Sequence, residues 1–393
     1  MKGKRGMSDS NRTLDTVSAV EERYSAAAEQ REAALCCPVD YDAKYLKVIP
    51  NEVIDRDYGC GDPSKYILTG ETVLDLGSGG GKICFIASQV VGPEGHVIGV
   101  DMNDTMLDLA RSSQGEVAEK IGYSNVEFKR GKIQDLAIDR DEVDQYLSQN
   151  PMTSESTFRE FESFLDQMRS ERPMISDDSI DVVVSNCVLN LVDSSDKQQL
   201  FRELFRVLKP GGRAVISDIV SDEPVPLNMQ NDAELWSGCI SGAFQEQEFL
   251  SAFSDAGFSG IEVAVYQEKA WQVVQGIEFR SVTVIAYKSP MESCEDYKDA
   301  VLYRGPFASV TDDDGHVYQR GQRTKVCRST FQRMEKDPYR KSFILVPPHE
   351  EIQDDQAKPM QCTGEERQPS ETKGKDYNLN VLGGSCCEPG DCC

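Results

Sequence analysis

Short apolar runs alternate with amphipathic segments between residues 72 and 220, and this alternation predicts the fold. Five of the runs are bounded by turn residues, which is typical of buried strands: 72–77, 96–101, 126–129, 180–186 and 213–219. Three segments between them have helical apolar spacing: 82–91, 104–121 and 197–208. Strands that alternate with helices predict an α/β fold with a doubly wound, mostly parallel sheet.

The pattern continues beyond this region and is interrupted twice. A helix at 246–256 and two strands at 261–267 and 277–287 are predicted to complete the sheet. Residues 139–172 are charge-rich with helical spacing and predict one accessory helix on the surface. Residues 350–376 are polar and rich in Pro, Gln and Glu, which predicts a disordered linker.

Length and charge narrow the class of protein. A chain of 393 residues suggests two or three domains. The net charge of -25 and the pI near 4.6 disfavour nucleic acid and anionic membranes as partners. No apolar stretch reaches the ~18 to 20 residues of a membrane span, and residues 1–32 are polar with no signal-peptide core, so we expect a cytoplasmic protein. An odd count of 13 cysteines fits free thiols better than a disulfide scaffold.

The first apolar run ends in a glycine-rich turn, Asp75-x-Gly77-x-Gly79-x-Gly81. The next run ends on Asp101, whose carboxylate can accept both hydroxyls of a ribose. Lys82 stands where a dinucleotide fingerprint needs its third glycine, which argues against NAD. The segment resembles motif I of class I S-adenosylmethionine-dependent methyltransferases. That resemblance implies that the turn holds the methionine part of the cofactor and that Asp101 holds its ribose.

Four further residues are weaker candidates for the same cofactor site. Met102 is expected to pack on adenine, with Ile133 and Gln134 at its edge, and Asn186 to line the methionine pocket. Packing or turn capping explains each of them about as well.

Three cysteines stand in contexts that glycine and strand ends make accessible. They are Cys60 in Tyr-Gly-Cys-Gly, Cys187 in Ser-Asn-Cys-Val-Leu-Asn-Leu and Cys239 in Trp-Ser-Gly-Cys-Ile-Ser-Gly-Ala. Thiolates that converge on one point bind soft ions. With only three histidines in the chain, an ordinary mixed-ligand zinc site is disfavoured. In these segments the chain resembles arsenite S-adenosylmethionine methyltransferases, over roughly residues 36–287.

This resemblance implies a role for each cysteine. Cys187 and Cys239 fall on the family's arsenic-binding pair, and with Cys60 they would hold arsenic(III). Cys60 and one of Cys36 or Cys37, with Cys37 preferred, fall on its redox pair. The implied substrate is arsenite or its glutathione conjugates, and the implied reductant is thioredoxin or glutathione. The implied role is arsenic detoxification.

The sequence patterns and the resemblance together imply a domain organisation. It comprises a polar N-terminal segment at 1–32, a cofactor-binding methyltransferase domain at 33–220 with its insertion at 139–172, an arsenic-binding region at 221–290, a small C-terminal domain at 291–349, and a linker with a cysteine-rich tail at 350–393.

Several cysteines lie outside the three contexts above, and two alternative functions fit part of the sequence. Cys84, Cys294 and Cys327 are expected to be packing residues, as free cysteines often are. The tail pairs Cys386-Cys387 and Cys392-Cys393 could capture a soft ion or have no role in turnover. The alternative functions are methylation of a small organic acceptor, for which the thiol contexts are unnecessary, and sequestration of a soft metal, for which the cofactor motif is unnecessary.

Overall fold

A computed structural model of the chain describes residues 16–29, 39–56, 58–289 and 294–374. The chain forms two compact units, residues 1–289 and 290–393.

The first unit contains nine strands. They are β1 (Thr72–Leu76), β2 (His96–Asp101), β3 (Val126–Arg130), β4 (Ile180–Asn186), β5 (Leu208–Ser221), β6 (Phe244–Gln245), β7 (Ser259–Tyr266), β8 (Gln272–Val274) and β9 (Ile277–Tyr287). The main sheet has the order β3-β2-β1-β4-β5-β9-β7, in which the first five strands are parallel and β9 is antiparallel to both of its neighbours. The predicted α/β fold with a mostly parallel sheet is therefore confirmed.

Eleven α-helices accompany these strands in the described part of the first unit. They are α1 (Thr16–Glu29), α2 (Ala43–Leu46), α3 (Asn51–Asp55), α4 (Lys82–Val91), α5 (Asp104–Ile121), α6 (Arg140–Gln149), α7 (Glu155–Glu171), α8 (Lys197–Val207), α9 (Leu227–Gln230), α10 (Ala233–Ser237) and α11 (Glu246–Asp255). Successive residues of a strand face opposite sides of the sheet, so Val73 packs in one buried cluster with α4 and α5, and Leu74 packs in another with α8 and α11. Both faces are covered, which explains why the parallel strands are apolar throughout.

The insertion contains two helices where one was predicted. Asp139 caps α6 by accepting hydrogen bonds from the backbone N–H groups of Asp141 and Glu142. That helix ends before Pro151, and Ser154 begins α7 with a capping box. A proline and a second capping residue therefore divide a segment whose apolar spacing looks continuous.

The predicted polar segment at 1–32 contains the helix α1. Its residues are held at three places: the Tyr58 hydroxyl donates to the Ala27 carbonyl at 2.9 Å, the Asn103 amide donates to Ser25 Oγ at 2.9 Å, and Arg23 donates to the Glu234 carbonyl at 2.8 Å. These partners lie on separate parts of the first unit, so α1 is fixed by tertiary contacts.

The second unit has seven short strands and two helices among its described residues. They are β10 (Glu295–Asp296), β11 (Ala300–Tyr303), β12 (Ser309–Thr311), β13 (Val317–Gln319), β14 (Arg323–Lys325), α12 (Arg328–Met334), β15 (Phe343–Val346), β16 (Lys358–Pro359) and α13 (Pro369–Lys373). The predicted disordered linker from residue 350 is wrong as far as residue 374. Arg367 is 1% exposed and forms ion pairs with Asp296 on β10 and with Glu371, and the pair with Asp296 ties this polar segment to the rest of the unit.

Among the residues that the structure describes, we find no helix long and apolar enough to cross a membrane.

Candidate active site

The turn after β1 and the end of β2 form one wall of a cavity. Gly79 donates its backbone N–H to Asp101 Oδ2 at 2.8 Å, and Asn103 donates its N–H to Asp101 Oδ1 at 2.8 Å. Burial raises the pKa of the Asp101 carboxyl, while these two bonds oppose the shift. Gly79 has a φ of +51°, and nothing lies within 4 Å of where a Cβ would stand. The backbone at this turn is therefore open to a ligand.

The cavity lies at the carboxyl ends of the parallel strands, where open α/β sheets bind ligands. Its volume, counted out to the open mouth, is about 1160 Å³. The predicted cofactor residues that line it are Asp75, Gly77, Gly79, Asp101, Met102, Ile133, Gln134 and Asn186. Gly81 does not line it; instead Gly81 precedes α4 and faces Phe128, whose ring would stand 2.8 Å from an added Cβ.

The lining contains polar groups that a nucleoside could engage. Ser78 Oγ is buried in the turn with no hydrogen-bond partner among the described residues. A buried hydroxyl without a partner is costly, and a bound ligand would satisfy it. Asp101 stands at the tip of the neighbouring strand, at the position expected of a ribose acceptor.

Helix α1 contributes Glu21 and Tyr24 to the cavity lining, and sequence reasoning missed both. The Tyr24 hydroxyl also lies 3.9 Å from Cys239 Sγ. Burial and then the nearby Cys239 raise the pKa of Tyr24, so its hydroxyl stays protonated. The same helix therefore contacts both the cavity and a candidate thiol.

Asn186, at the end of β4, holds the loop that carries Cys60. Its Oδ1 accepts the backbone N–H groups of Cys60 at 2.9 Å and Gly61 at 3.1 Å, and its Nδ2 donates to the Gly61 carbonyl at 2.8 Å and the Tyr41 hydroxyl at 3.0 Å. The loop lies so close to this amide that a Cβ on Gly59 would stand 2.2 Å from Asn186 Nδ2. The glycine is therefore needed for close packing against the amide.

This clamp brings Cys60 next to Cys187, and the two form a disulfide with a Cα–Cα distance of 5.8 Å. Both residues are buried, at 7% and 6% exposure. The resemblance implies that Cys60 pairs with Cys36 or Cys37, whereas in this structure its sulfur is bonded to Cys187. The residues Cys36 and Cys37 lie outside the described part of the chain, as does the cysteine tail.

Cys239 completes the group of thiols. Its Sγ donates a hydrogen bond to the Cys187 carbonyl at 3.4 Å, and all three cysteines belong to one buried cluster. Cys187 has a φ of +61° and Cys239 a φ of +62°. Such backbone conformations cost of order 1 to 3 kcal/mol each for non-glycine residues and concentrate at functional sites. Cys187 also lines the cavity, so the thiols adjoin the ligand site.

A buried carboxylate, Asp218, lies beside the disulfide and was not predicted. One of its oxygens and the sulfurs of Cys60 and Cys187 all lie within 4.8 Å of one another. Burial raises the pKa of Asp218 to about 6, although three backbone N–H groups and the nearby Lys197 oppose this shift. Burial also lowers the pKa of Lys197 to about 8. The sequence signal that could have identified Asp218 is its position as an acidic residue within the apolar run of β5.

Cys84, by contrast, is an isolated buried thiol. It donates to Asp75 Oδ2 at 3.2 Å, and burial, followed by the charge of Asp75, raises its pKa. This agrees with the packing role expected for it.

A parallel sheet that presents a glycine turn and a strand-end carboxylate to such a cavity is that of a class I S-adenosylmethionine-dependent methyltransferase. A family model described as a methyltransferase domain matches residues 67–171 and 170–257, and one described as a domain of unknown function matches residues 290–377. An arsenite methyltransferase of Aquipseudomonas alcaligenes is 30% identical over 331 residues, which cover 80% of this chain and 85% of the relative. The chain belongs to the arsenite methyltransferase family.

A second relative and a crystal structure are also similar to this chain. An arsenite methyltransferase of Mus musculus is 28% identical over 323 residues, covering 78% of this chain and 75% of that one. The crystal structure of an arsenic(III) S-adenosylmethionine methyltransferase from Chlamydomonas reinhardtii has a TM-score of 0.53 at 27% identity, covering 79% of this chain and 96% of that chain.

Replacing the clamp should loosen the disulfide. We expect Asn186→Leu to lower the equilibrium constant for forming the Cys60–Cys187 disulfide against glutathione roughly five- to thirty-fold, because about 1 to 2 kcal/mol of loop positioning is lost. The measurement is the disulfide fraction at set glutathione ratios. Asn125→Leu is the control, since Asn125 is buried and hydrogen-bonded to Ser88 and to two backbone carbonyls. An equal effect of both variants would contradict the clamp.

Asp218 should make stability depend on pH. Its pKa is raised from 3.8 to about 6 in the folded protein, so its contribution is present below about pH 4 and is lost as the pH rises through about 6. We expect the free energy of unfolding of the wild type, minus that of Asp218→Asn, to fall by up to about 3 kcal/mol between about pH 4 and pH 7. Urea unfolding of the oxidised proteins measures it. A difference independent of pH would show that Asp218 titrates normally.

Proposed function

We propose that this protein methylates trivalent arsenic, with S-adenosylmethionine as methyl donor, and thereby detoxifies arsenite in the cytoplasm. One observation carries the proposal: Cys60, Cys187 and Cys239 converge, and Cys187 also lines the cofactor cavity. A protein that only sequestered a soft metal would need the thiols but not the cavity.

The thiols would bind the substrate by ligand exchange. Each As–O bond of arsenite, or each As–S bond of its glutathione conjugate, is replaced by a bond to a protein sulfur, and the thiol proton leaves with the departing ligand. Asp218, ionised above about pH 6, lies beside two of these sulfurs and can relay their protons to the departing ligands. The product is a pyramidal arsenic whose lone pair is free to act as a nucleophile.

Cofactor residues would fix the methyl donor next to that arsenic. When bound, S-adenosylmethionine supplies a methyl group on a positively charged sulfur. Asp101 would accept hydrogen bonds from the ribose, and the Gly79 turn would admit the methionine part. Ser78 Oγ would find the partner that it lacks among the described residues. Holding arsenic and methyl at reacting distance can be worth ~7 to 11 kcal/mol.

Arsenic that has gained a methyl cation is formally pentavalent and must regain two electrons. We assign these electrons to Cys60 and Cys187, because their sulfurs are close enough to bond. As two As–S bonds break, the two sulfurs form the disulfide and arsenic returns to the trivalent state. The methylarsenic, still bound to Cys239 and positively charged, then takes hydroxide from water, and a proton is released. The disulfide is buried, so a large reductant cannot reach it directly. Cys37 or Cys36 would therefore relay electrons to it by thiol exchange from thioredoxin or glutathione.

Serine substitutions should separate the roles of the thiols. Cys187→Ser and Cys239→Ser should each slow methylation of both arsenite and methylarsenite by ~100-fold or more, since arsenic is no longer held for transfer. Cys60→Ser should lose arsenite methylation yet retain much of the methylarsenite step. Methylarsenite has only two exchangeable ligands, so two thiols suffice to hold it, and the excess glutathione supplies the electrons that Cys60 supplies in the wild type. Single turnovers with excess glutathione, resolved by arsenic speciation, measure this.

Cys84→Ser serves as the matched control, because Cys84 is equally buried but isolated from the three thiols. Circular dichroism verifies that each variant is folded. The division of roles is wrong if all three site variants keep arsenite methylation, or if Cys60→Ser blocks both steps as fully as Cys187→Ser does.

Asp101 should matter for the cofactor and not for arsenic. We expect Asp101→Ala to weaken binding of S-adenosylmethionine by ~1.5 to 3 kcal/mol, the contribution of a hydrogen bond to a charged group, while arsenite binding to the reduced protein is unchanged. Calorimetry of the folded variant measures the first affinity, and quenching of intrinsic fluorescence by arsenite the second. Wild-type affinity for the cofactor would remove Asp101 from its site.

A further inference from the structure

The second unit contains a group of three cysteines that the function above does not use. Cys294 precedes β10, Cys362 follows β16, and these two strands are paired antiparallel. Cys327 immediately precedes α12. Three separate parts of the chain thus bring one thiol each to the same place. We had expected Cys294 and Cys327 to be packing residues, and Cys294 is instead exposed.

The distances between these groups are short. Cys294 Sγ and Cys362 Sγ lie 3.2 Å apart, and Cys362 Sγ accepts the backbone N–H of Cys327 at 3.3 Å. Cys327 Sγ lies 3.3 Å from the Thr330 hydroxyl. All three sulfurs lie within 4.8 Å of one another, and none is in a disulfide. The fold therefore holds them in place before any ligand arrives.

Exposure is graded across the group. Cys327 is 4% exposed, Cys362 is half-buried and Cys294 is exposed. A small solute can reach the outer thiol first and then exchange onto the inner two, while the buried side keeps competing water away. The group therefore has the arrangement of a binding site that is open to solvent at Cys294.

The number and type of donors select the ligand. Within the part of the chain that the structure describes, the group comprises three thiols and no histidine or carboxylate. Structural zinc prefers four ligands in a tetrahedron, whereas arsenic(III) takes three sulfurs in a pyramid and keeps a lone pair. Soft thiolates favour a soft ion over magnesium or calcium.

We propose that Cys294, Cys327 and Cys362 form a second arsenic(III) site, built wholly within the C-terminal unit. Arsenite binds there when its three hydroxyls are replaced by three sulfurs. Each thiol proton leaves with one hydroxide as water, so three waters are released and nothing is oxidised or reduced. Binding at this site requires no cofactor and no methyl transfer, so its test is independent of the proposed enzymatic activity.

The test counts arsenic bound to the full-length protein. Reduced protein is incubated with excess arsenite and desalted, and arsenic per chain is measured by mass spectrometry. The double variant Cys294→Ser/Cys362→Ser leaves one thiol at the site, and both positions tolerate a polar hydroxyl because neither is fully buried. We expect it to retain one arsenic fewer per chain than the wild type, with methylation at saturating arsenite unchanged. Cys84→Ser is the control and should retain the wild-type number.

A second readout follows the outer thiol. Arsenite should protect Cys294 from alkylation in the wild type, and Cys327→Ser should remove most of that protection, with the melting temperature reporting on folding. Equal arsenic content in the wild type and the double variant would overturn the proposal. So would zinc bound to the purified protein through these thiols that arsenite does not displace.

Discussion

The side chain of Asn186 is the constraint on which the site depends. One amide at the carboxyl end of β4 binds both N–H groups and the carbonyl of the Cys60–Gly61 segment. From the other side, Ser281 Oγ on β9 donates to the Cys60 carbonyl at 2.7 Å. The loop is thereby fixed against the sheet, and Cys187, the next residue after Asn186, receives the Cys60 sulfur. The clamp and the thiol of Cys187 are thus positioned by the end of a single strand, and both residues also line the cavity.

The site concentrates features that a stable fold would otherwise avoid. Cys187 and Cys239 both have positive φ, and Asp218 is a carboxylate at 1% exposure. Each is destabilising by itself, and each is compensated by surrounding structure, such as the N–H groups of Leu189 and Ile219 that bind Asp218. We attribute these unfavourable features to function, because they hold three sulfurs and a carboxylate in place beside the cavity. The thiols are preorganised by the fold, so little reorganisation is needed on binding arsenic.

Most of the first unit could be predicted, because buried parallel strands and amphipathic helices impose strong periodicities. That the glycine turn and Asp101 lie at the cavity was predictable for the same reason, since they follow strands directly. The role of Asn186 as a clamp could not be predicted, because its partners Tyr41 and Gly61 are more than a hundred residues away in sequence. The Cys60–Cys187 bond and the thiol group of the second unit depend on the same kind of long-range packing.

The central claim is that Cys60 and Cys187 return the electrons that methyl transfer takes from arsenic. Fully reduced protein, freed of reductant, is given one equivalent each of arsenite and S-adenosylmethionine and quenched in acid, and its disulfides are mapped by differential alkylation and peptide mass spectrometry. The protein used is the double variant Cys36→Ser/Cys37→Ser, in which no relay can reduce the disulfide. We expect a peptide cross-linked through Cys60 and Cys187 to accumulate in proportion to the S-adenosylhomocysteine formed. Methyl transfer that leaves both Cys60 and Cys187 as free thiols in that protein would contradict the claim.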